Sequence, residues 1–513
     1  MHLSHTLLSV TAIVGMTVAP APGTGIPTAA TVDVRSHGAR LDGRDDSSAL
    51  VAAIEALPLS GGTVLIPGIL SLGRPGWAGI AVRGRSGVTI AGSDTGSGFR
   101  VLHRPSQTIQ SGGGESVALL RVSDSDSVAV RGLDFDGNGV QTVFVALDNV
   151  SRSAIWGNRF HDTPEDMKTH RIAPAVQSNG GKANDYSGNL FRNVDYGLGL
   201  GGWGAGKGDA DSSVRGNVFE DVLNDGVLIG GMRITVSGNK FCGCGRSAII
   251  IGETHSEQGS SQVLVEGNTI RDCRWHGIQS DLTPPARLEQ VTITGNTFDN
   301  NLLSGAFLHH MNRTTFTYNR VSRGRWGIAG AGVDGLTVEG NMFFSQTEAG
   351  IQLTQDRKHP VANITIRGNR IQTDPHRGAG IYIPAQSTGP GNRNADIRGN
   401  HVEAHGYALW IWNGLRAVII SGNVLRGGGA DLRVDDEAYR TYGDNNSYST
   451  WAGRKIGYVR DGKRHNFSAK PPDAGSWEVG DWFHREPPVP GKPIGWVCVE
   501  AGTPGKWVAK DSP

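Results

Sequence analysis

Six side chains able to carry protons, Asp225, Glu253, His276, Asp281, His309 and His310, are spread over 86 positions, and each flanks a short apolar strand led by Gly or Ala. Carboxylates and imidazoles are the groups that proteins tune to give and take protons near neutral pH. A second set, Gln279, Phe307, Arg325, Trp326, Gln352, Tyr382, Trp410 and Trp412, brings amides, a guanidinium and aromatic faces to strands of the same kind. Groups so far apart in sequence act together only if the chain stacks those strands in register. The positioning elements must therefore be repetitive.

The repeat is plain in Val291-Thr-Ile-Thr-Gly-Asn-Thr-Phe298. Copies stand at Gly157-Asn158, Gly188-Asn189, Gly216-Asn217, Gly238-Asn239, Gly267-Asn268, Gly340-Asn341, Gly368-Asn369, Gly399-Asn400 and Gly422-Asn423. Intervals run from 22 to 31 residues, except one of 45 that a degenerate copy, Tyr318-Asn319, divides. A period of this size marks a solenoid or array. Each unit is short, β-branched and alternating, so it reads as one strand followed by a turn, with no room for a long helix. The fold expected is all-β, a parallel β-helix with one repeat per turn. The asparagines are expected to stack inside and bond each other from coil to coil.

A second strand follows each Gly-Asn unit: Gly197-Leu-Gly-Leu200, Gly226-Val-Leu-Ile229, Ala248-Ile-Ile-Ile251, Gly277-Ile-Gln-Ser280, Gly305-Ala-Phe-Leu308, Gly327-Ile-Ala-Gly330, Gly350-Ile-Gln-Leu353, Gly380-Ile-Tyr-Ile383 and Ala408-Leu-Trp-Ile411. Strand side chains alternate, so the aliphatic positions face the core and the intervening ones face solvent. One outward column then reads Gly199, Leu228, Ile250, Gln279, Phe307, Ala329, Gln352, Tyr382, Trp410. Asp225, Glu253, His276, Asp281, His309 and His310 are expected on the same face, with Arg325, Trp326 and Trp412 extending it. Acid–base groups giving way to a row of rings describe a groove for a polysaccharide. Residues one coil apart have backbones about 5 Å apart and those two coils apart about 10 Å. Either spacing suits a glycosidase pair, at about 5 Å for retention or 6.5–9.5 Å for inversion. Elimination is equally open, with His276, His309 or Tyr382 as base and Arg274, Arg325 or a cation neutralising a uronate.

The opening of the mature chain identifies a family. Asp33-Val-Arg-Ser-His-Gly-Ala-Arg-Leu-Asp-Gly-Arg-Asp-Asp46 precedes Ala49, Leu50, Ala53, Ile54 and Leu57 at helical spacing, then Gly61-Gly-Thr-Val-Leu-Ile-Pro-Gly68. Asp45 or Asp46 is placed to cap that helix. This pattern resembles the N-terminal cap of pectate-lyase-like right-handed parallel β-helix proteins. Those include polysaccharide lyases, polygalacturonase-related hydrolases and phage tailspike depolymerases. The resemblance implies a right-handed coil over roughly residues 31–440, and the scaffold hosts several chemistries. Asn224-Asp225-Gly226 and Trp275-His276-Gly277 match a polygalacturonase-like site only in part, without its paired aspartates.

The remaining features set the context. Residues 1–30 read as an export signal around Leu7–Val14, which implies a secreted or periplasmic protein. The β-helix is expected over 31–446 and a small Trp- and Gly-rich β-module over 447–513, there to close the open coil end. A net charge of +1 from 49 basic and 48 acidic residues argues against nucleic acid as partner. No later stretch reaches membrane-spanning length. The partner expected is a polysaccharide, and the chain is expected as a monomer or homotrimer. No cofactor or metal is implied, and Ca²⁺ has no loop motif behind it. Cys244 and Cys273 occupy equivalent places on adjacent coils, as a disulfide or as two buried thiols.

Overall fold

The computed structural model describes residues 30–106, 108–111, 114–164, 173–201, 208–252, 260–280, 288–356, 359–384, 393–411, 416–434, 447–450, 458–460, 463–473, 477–485 and 489–511. The repeat unit is two strands rather than one. Thr292–Thr294 and Thr297–Asp299 are separated by a corner at Gly295, whose φ of 63° lies in the left-handed region that glycine enters without strain. Ser304–His309 then completes the turn. Each coil thus contributes three strands, and the coils stack into three 15-stranded sheets. Pairing along the stack is parallel: Ile293 lies between Val265 and Phe316, and Phe298 between Ile270 and Val321.

The core is the interior of this prism. Phe135, Phe160, Phe191, Phe219 and Phe241 occupy one inward column, with ring centroids 4.6–5.1 Å apart between neighbours. Each is at most 1% exposed.

Beside the phenylalanines runs the asparagine ladder. Asn158, Asn189, Asn217, Asn239, Asn268, Asn296, Asn319, Asn341, Asn369, Asn400 and Asn423 are linked amide to amide at 2.9–3.1 Å. Each side-chain oxygen also accepts the backbone N–H of the equivalent residue one coil earlier, as Asn296 does from Asn268 at 2.9 Å and Asn158, the first rung, from Leu133 at 3.1 Å. The degenerate copy keeps its place: Tyr318 takes the left-handed corner (φ 54°) and Asn319 the rung.

At the N-terminal end, Ser47–Glu55 forms the helix, burying Ala49, Leu50, Ala53 and Ile54. Asp45 receives its first N–H, from Ser47 at 3.0 Å, while Asp46 turns back to the N–H groups of Arg40 and Leu41. At the other end, Ser447–Thr450 still pairs in parallel with Val424–Gly427, so the stack reaches past residue 446. A separate sheet follows, from Tyr458–Arg460, Lys463–Ser468, Trp482–Arg485, Gly495–Glu500 and Lys506–Lys510. Trp477, Phe483 and Trp507 meet edge to face at its centre. Cys244 and Cys273 are buried free thiols, and hydrogen bonding to Cys273 together with burial pushes the Cys244 thiol up. Among the described residues no helix is long and apolar enough to cross a membrane. Leu7–Val14 lies outside them.

Asn296→Ala tests the ladder. It strips the Asn268 N–H of its acceptor and the Val265 carbonyl of its donor, both in the dry interior. At about 1–3 kcal/mol per orphaned buried group, a loss of roughly 3 kcal/mol is expected in denaturant unfolding. A loss under about 1 kcal/mol would mean that the corner finds other partners.

Candidate functional site

The third sheet carries the outward face. Its register aligns Gly199, Leu228, Ile250, Gln279, Phe307, Ala329, Gln352, Tyr382 and Trp410 as one column. That is the order read from alternation alone. A neighbouring column holds His276, Ser304 and Trp326. Gln279, Phe307, Trp326, Gln352, Tyr382 and Trp410 are all half-buried, lying against the sheet with one side open.

These side chains are held in place by one another. Trp326 Nε1 donates to Gln352 Oε1 at 2.9 Å, and the exposed Arg325 lies over the Trp326 ring at 4.3 Å and reaches Glu348 at 3.6 Å. Tyr382 stacks on Trp410 at 4.6 Å, and Tyr407 packs against Trp410 from the side. Gln279 accepts from Ser247 Oγ at 2.9 Å. His276 stacks on Phe307 at 5.0 Å, with Nδ1 2.6 Å from Ser304 Oγ. Burial holds its pKa down at about 4, so the imidazole is neutral at pH 7 with a lone pair to offer.

Two expectations need correction, and a third falls on residues outside those described. Asp225 is not on the open face: its side chain is 1% exposed, accepts the Ser247 N–H at 2.8 Å and pairs with Arg246 at 3.3 Å. It precedes its strand at the corner, where strict alternation does not govern direction, and there it braces the turn. Leu228 and Ile250 do point away from the core, yet they are 2% and 6% exposed and form a separate apolar cluster with Tyr196. Glu253, Asp281 and Trp412 lie outside the described residues.

Beyond the strand ends the structure gathers residues that sequence reading did not connect. His309 and His310 meet Asp356 and His359, two coils further on. His310 Nε2 contacts the Asp356 carboxylate, His359 Nδ1 lies 3.0 Å from it and His309 Nε2 3.9 Å. The His309 and His310 rings stack at 3.9 Å. Burial, then the adjacent His310, lowers the His309 pKa. Asp356 and His359 follow the outward Thr354, and their i, i+3 spacing after that strand was the available signal.

A second polar cluster lies at the corner after the second sheet. His161 bridges Asp134 at 2.9 Å and Asp162 at 2.8 Å, and the Asp134 contact raises its pKa. A cavity of about 610 Å³ opens beside it, lined by Arg100, Asp136 and Asn193 among others. Its carboxylates are already engaged, Asp136 by Arg100 and Asp162 by Asn193.

A parallel stack of three sheets, three strands to the coil, defines a parallel β-helix. The model of the right handed beta helix region matches residues 145–315 and 257–425, together more than half of the chain, and the chain belongs to that family. Among solved structures, the A-module of the mannuronan C-5 epimerase AlgE6 of Azotobacter vinelandii is similar at 16% identity. The match covers 82% of this chain and 99% of that one, with a TM-score of 0.51. The catalytic unit of a GH87 α-1,3-glucanase from Streptomyces thermodiastaticus is 18% identical, over 85% and 72% of the two chains, at a TM-score of 0.47. A tailspike protein of E. coli bacteriophage HK620, solved with a pentasaccharide, is 16% identical over 70% and 76%, at 0.49. No curated protein matches the chain.

The depressed pKa of His276 makes a signed prediction. The unfolded chain takes up this proton near pH 6.5 and the folded one only near pH 4, so stability is full above pH 6.5 and falls as pH drops through that window. The effect approaches roughly 3 kcal/mol. Unfolding free energies of the wild type and His276→Gln, compared at pH 7 and pH 4.5, should show the wild type losing about 2 kcal/mol more. Parallel pH profiles would remove the histidine from that role.

Proposed function

We propose that this chain is an exported enzyme that cleaves the glycosidic bonds of a polysaccharide lying along the outer face of the third sheet. The observation that carries the reading is the half-buried column from Gln279 through Phe307, Gln352 and Tyr382 to Trp410, flanked by His276 and Trp326. Aromatic faces with amide donors beside them suit sugar rings, whose C–H faces are apolar and whose edges are hydroxyls. A strip running over successive strands, spaced about 4.8 Å apart, suits a polymer better than a single small molecule.

Acid–base groups cluster at one part of the strip. His276, neutral at pH 7 and held against Ser304 and Phe307, is the proposed proton acceptor, a weak base in the free protein because burial lowers its pKa to about 4. His309 lies on the same strand as Phe307. Glu253 and Asp281 follow within two residues of the strands Ile249–Ile251 and His276–Ser280, and they are the proposed carboxyl partners for hydrolysis. With a uronate polymer the same histidine and Arg325 support β-elimination instead. A glycan-binding role without catalysis is the second reading. It is favoured by the far end of the strip, where Tyr382, Tyr407 and Trp410 form a purely aromatic patch.

Incubation with a panel of neutral and uronate polysaccharides separates these. Reducing ends alone mean hydrolysis, and reducing ends together with the ultraviolet absorbance of an unsaturated uronate mean elimination. Neither, with retained binding, leaves the glycan binder. On the polymer that is cut, His276→Gln is expected to lower kcat about 100-fold or more. Trp410→Ala, in contrast, should raise KM by up to roughly tenfold with kcat little changed. Activity unaffected by both variants would place the site elsewhere.

A further inference from the structure

His309 ends one strand of the third sheet and His310 follows it at the corner; Thr354, on the strand before Asp356 and His359, stands two strands away in register, for His309 pairs with Ala331 and Ala331 with Thr354. The two halves of the cluster therefore reach across a whole intervening coil. The residue at that crossing is Gly332. A Cβ there would lie 2.8 Å from His359 Cβ, 3.0 Å from His310 Cδ2 and 3.1 Å from Asp356 Oδ2. Backbone conformation alone does not demand glycine at this corner, because His310 occupies the equivalent place one coil earlier with φ 52°. The space does. Three ligand-type side chains are packed around a gap that only glycine leaves open.

We propose that His309, His310 and Asp356 bind a divalent transition-metal ion of the zinc class, with His359 orienting the carboxylate. The ligand atoms of the three lie within 4.8 Å of one another. Ligands held at about 2.0–2.2 Å around such an ion stand roughly 3.3–4 Å apart, so small side-chain rotations close the shell. Two imidazoles and a carboxylate match the preferences of this class, whereas Ca²⁺ takes oxygen ligands. His359 reaches Asp356 through both its ring, Nδ1 at 3.0 Å, and its backbone N–H at 2.7 Å, the arrangement by which an outer residue fixes a ligand. His309, Asp356 and His359 keep about a quarter to a third of their side-chain surface open, so a coordination position faces solvent. That position lies on the face that bears Phe307, two residues before His309. The site is defined by its own geometry; it shares His309 with the acid–base groups proposed for the groove, so its test reads metal binding and not activity.

The test uses the full chain after chelator treatment. Calorimetric titration with Zn²⁺ is expected to show one strong equivalent, weakened about 100-fold in His309→Ala and about 10- to 100-fold in His359→Ala. Gly332→Asn, whose side chain tolerates the left-handed backbone but fills the gap, should abolish it without touching a ligand. No strong Zn²⁺ equivalent would overturn the site. So would binding unchanged in these variants, which would point to another pair such as His465 and His484, 2.9 Å apart. Should a variant fail to fold, Co²⁺ added to the unaltered protein decides. Intense visible bands of a four- or five-coordinate nitrogen-bearing site are expected, and the weak spectrum of the hydrated ion overturns the proposal.

Discussion

Every coil of this chain turns a corner inside a dry prism, and a corner leaves a backbone N–H with no strand to pair with. In eleven consecutive coils an asparagine answers that need, following a glycine in ten of them and Tyr318 in the other. Its oxygen accepts the N–H of the previous coil's asparagine and its amide donates onward, so each rung satisfies its neighbours. A buried peptide group left alone would cost about 1–3 kcal/mol, and the eleven asparagines hold this arrangement over ten consecutive links. Aspartate in the same place would bring a charge into the interior, and alanine would bring no acceptor at all. Because the ladder closes only when each asparagine lies directly beneath the next, it also forbids slippage of one coil against another.

Register is what turns scattered residues into a surface. Slipping one residue would send Phe307, Gln352 and Tyr382 inward and Ala306, Ile351 and Ile381 outward, since strand side chains alternate. From Asn189 to Asn400 the run from rung to the Gly or Ala leading the third-sheet strand stays at 8–11 residues and length varies mainly between that strand and the next rung, which is why intervals of 22 to 31 residues still deliver the same column. Chain length per coil is free to vary where loops leave the prism, and the wall is not. The outer face is therefore a place where side chains can change with little effect on the inner ladder.

This division explains what was legible beforehand. The outward column of the third sheet could be read in full because it needs only period two and a recurrent Gly-Asn marker. The third strand per coil was harder, since Gly295 bends a segment that reads as one continuous strand. Asp225 was misplaced because it precedes its strand, where a corner hydrogen bond rather than the pleat sets direction. Leu228 and Ile250 obeyed the pleat, yet packing with Tyr196 on the outer side buried them. Asp356 and His359 belong to a loop, and nothing in a linear pattern says that they return to His310.

The same geometry accounts for where chemistry concentrates. A flat parallel face offers side chains only in rows about 4.8 Å apart, too coarse a grid to bring three or four polar groups onto one atom. Convergence requires a place where the grid is broken. At the end of the third sheet, left-handed corners at His310 and Gly332 turn the chain, and the missing side chain at Gly332 lets residues two coils apart touch. Rows of rings along the strands suit the recognition of an extended chain, and the broken edge suits the gathering of ligands around a point. In this fold the strands measure out a binding strip, and the corners decide where along it several groups can meet.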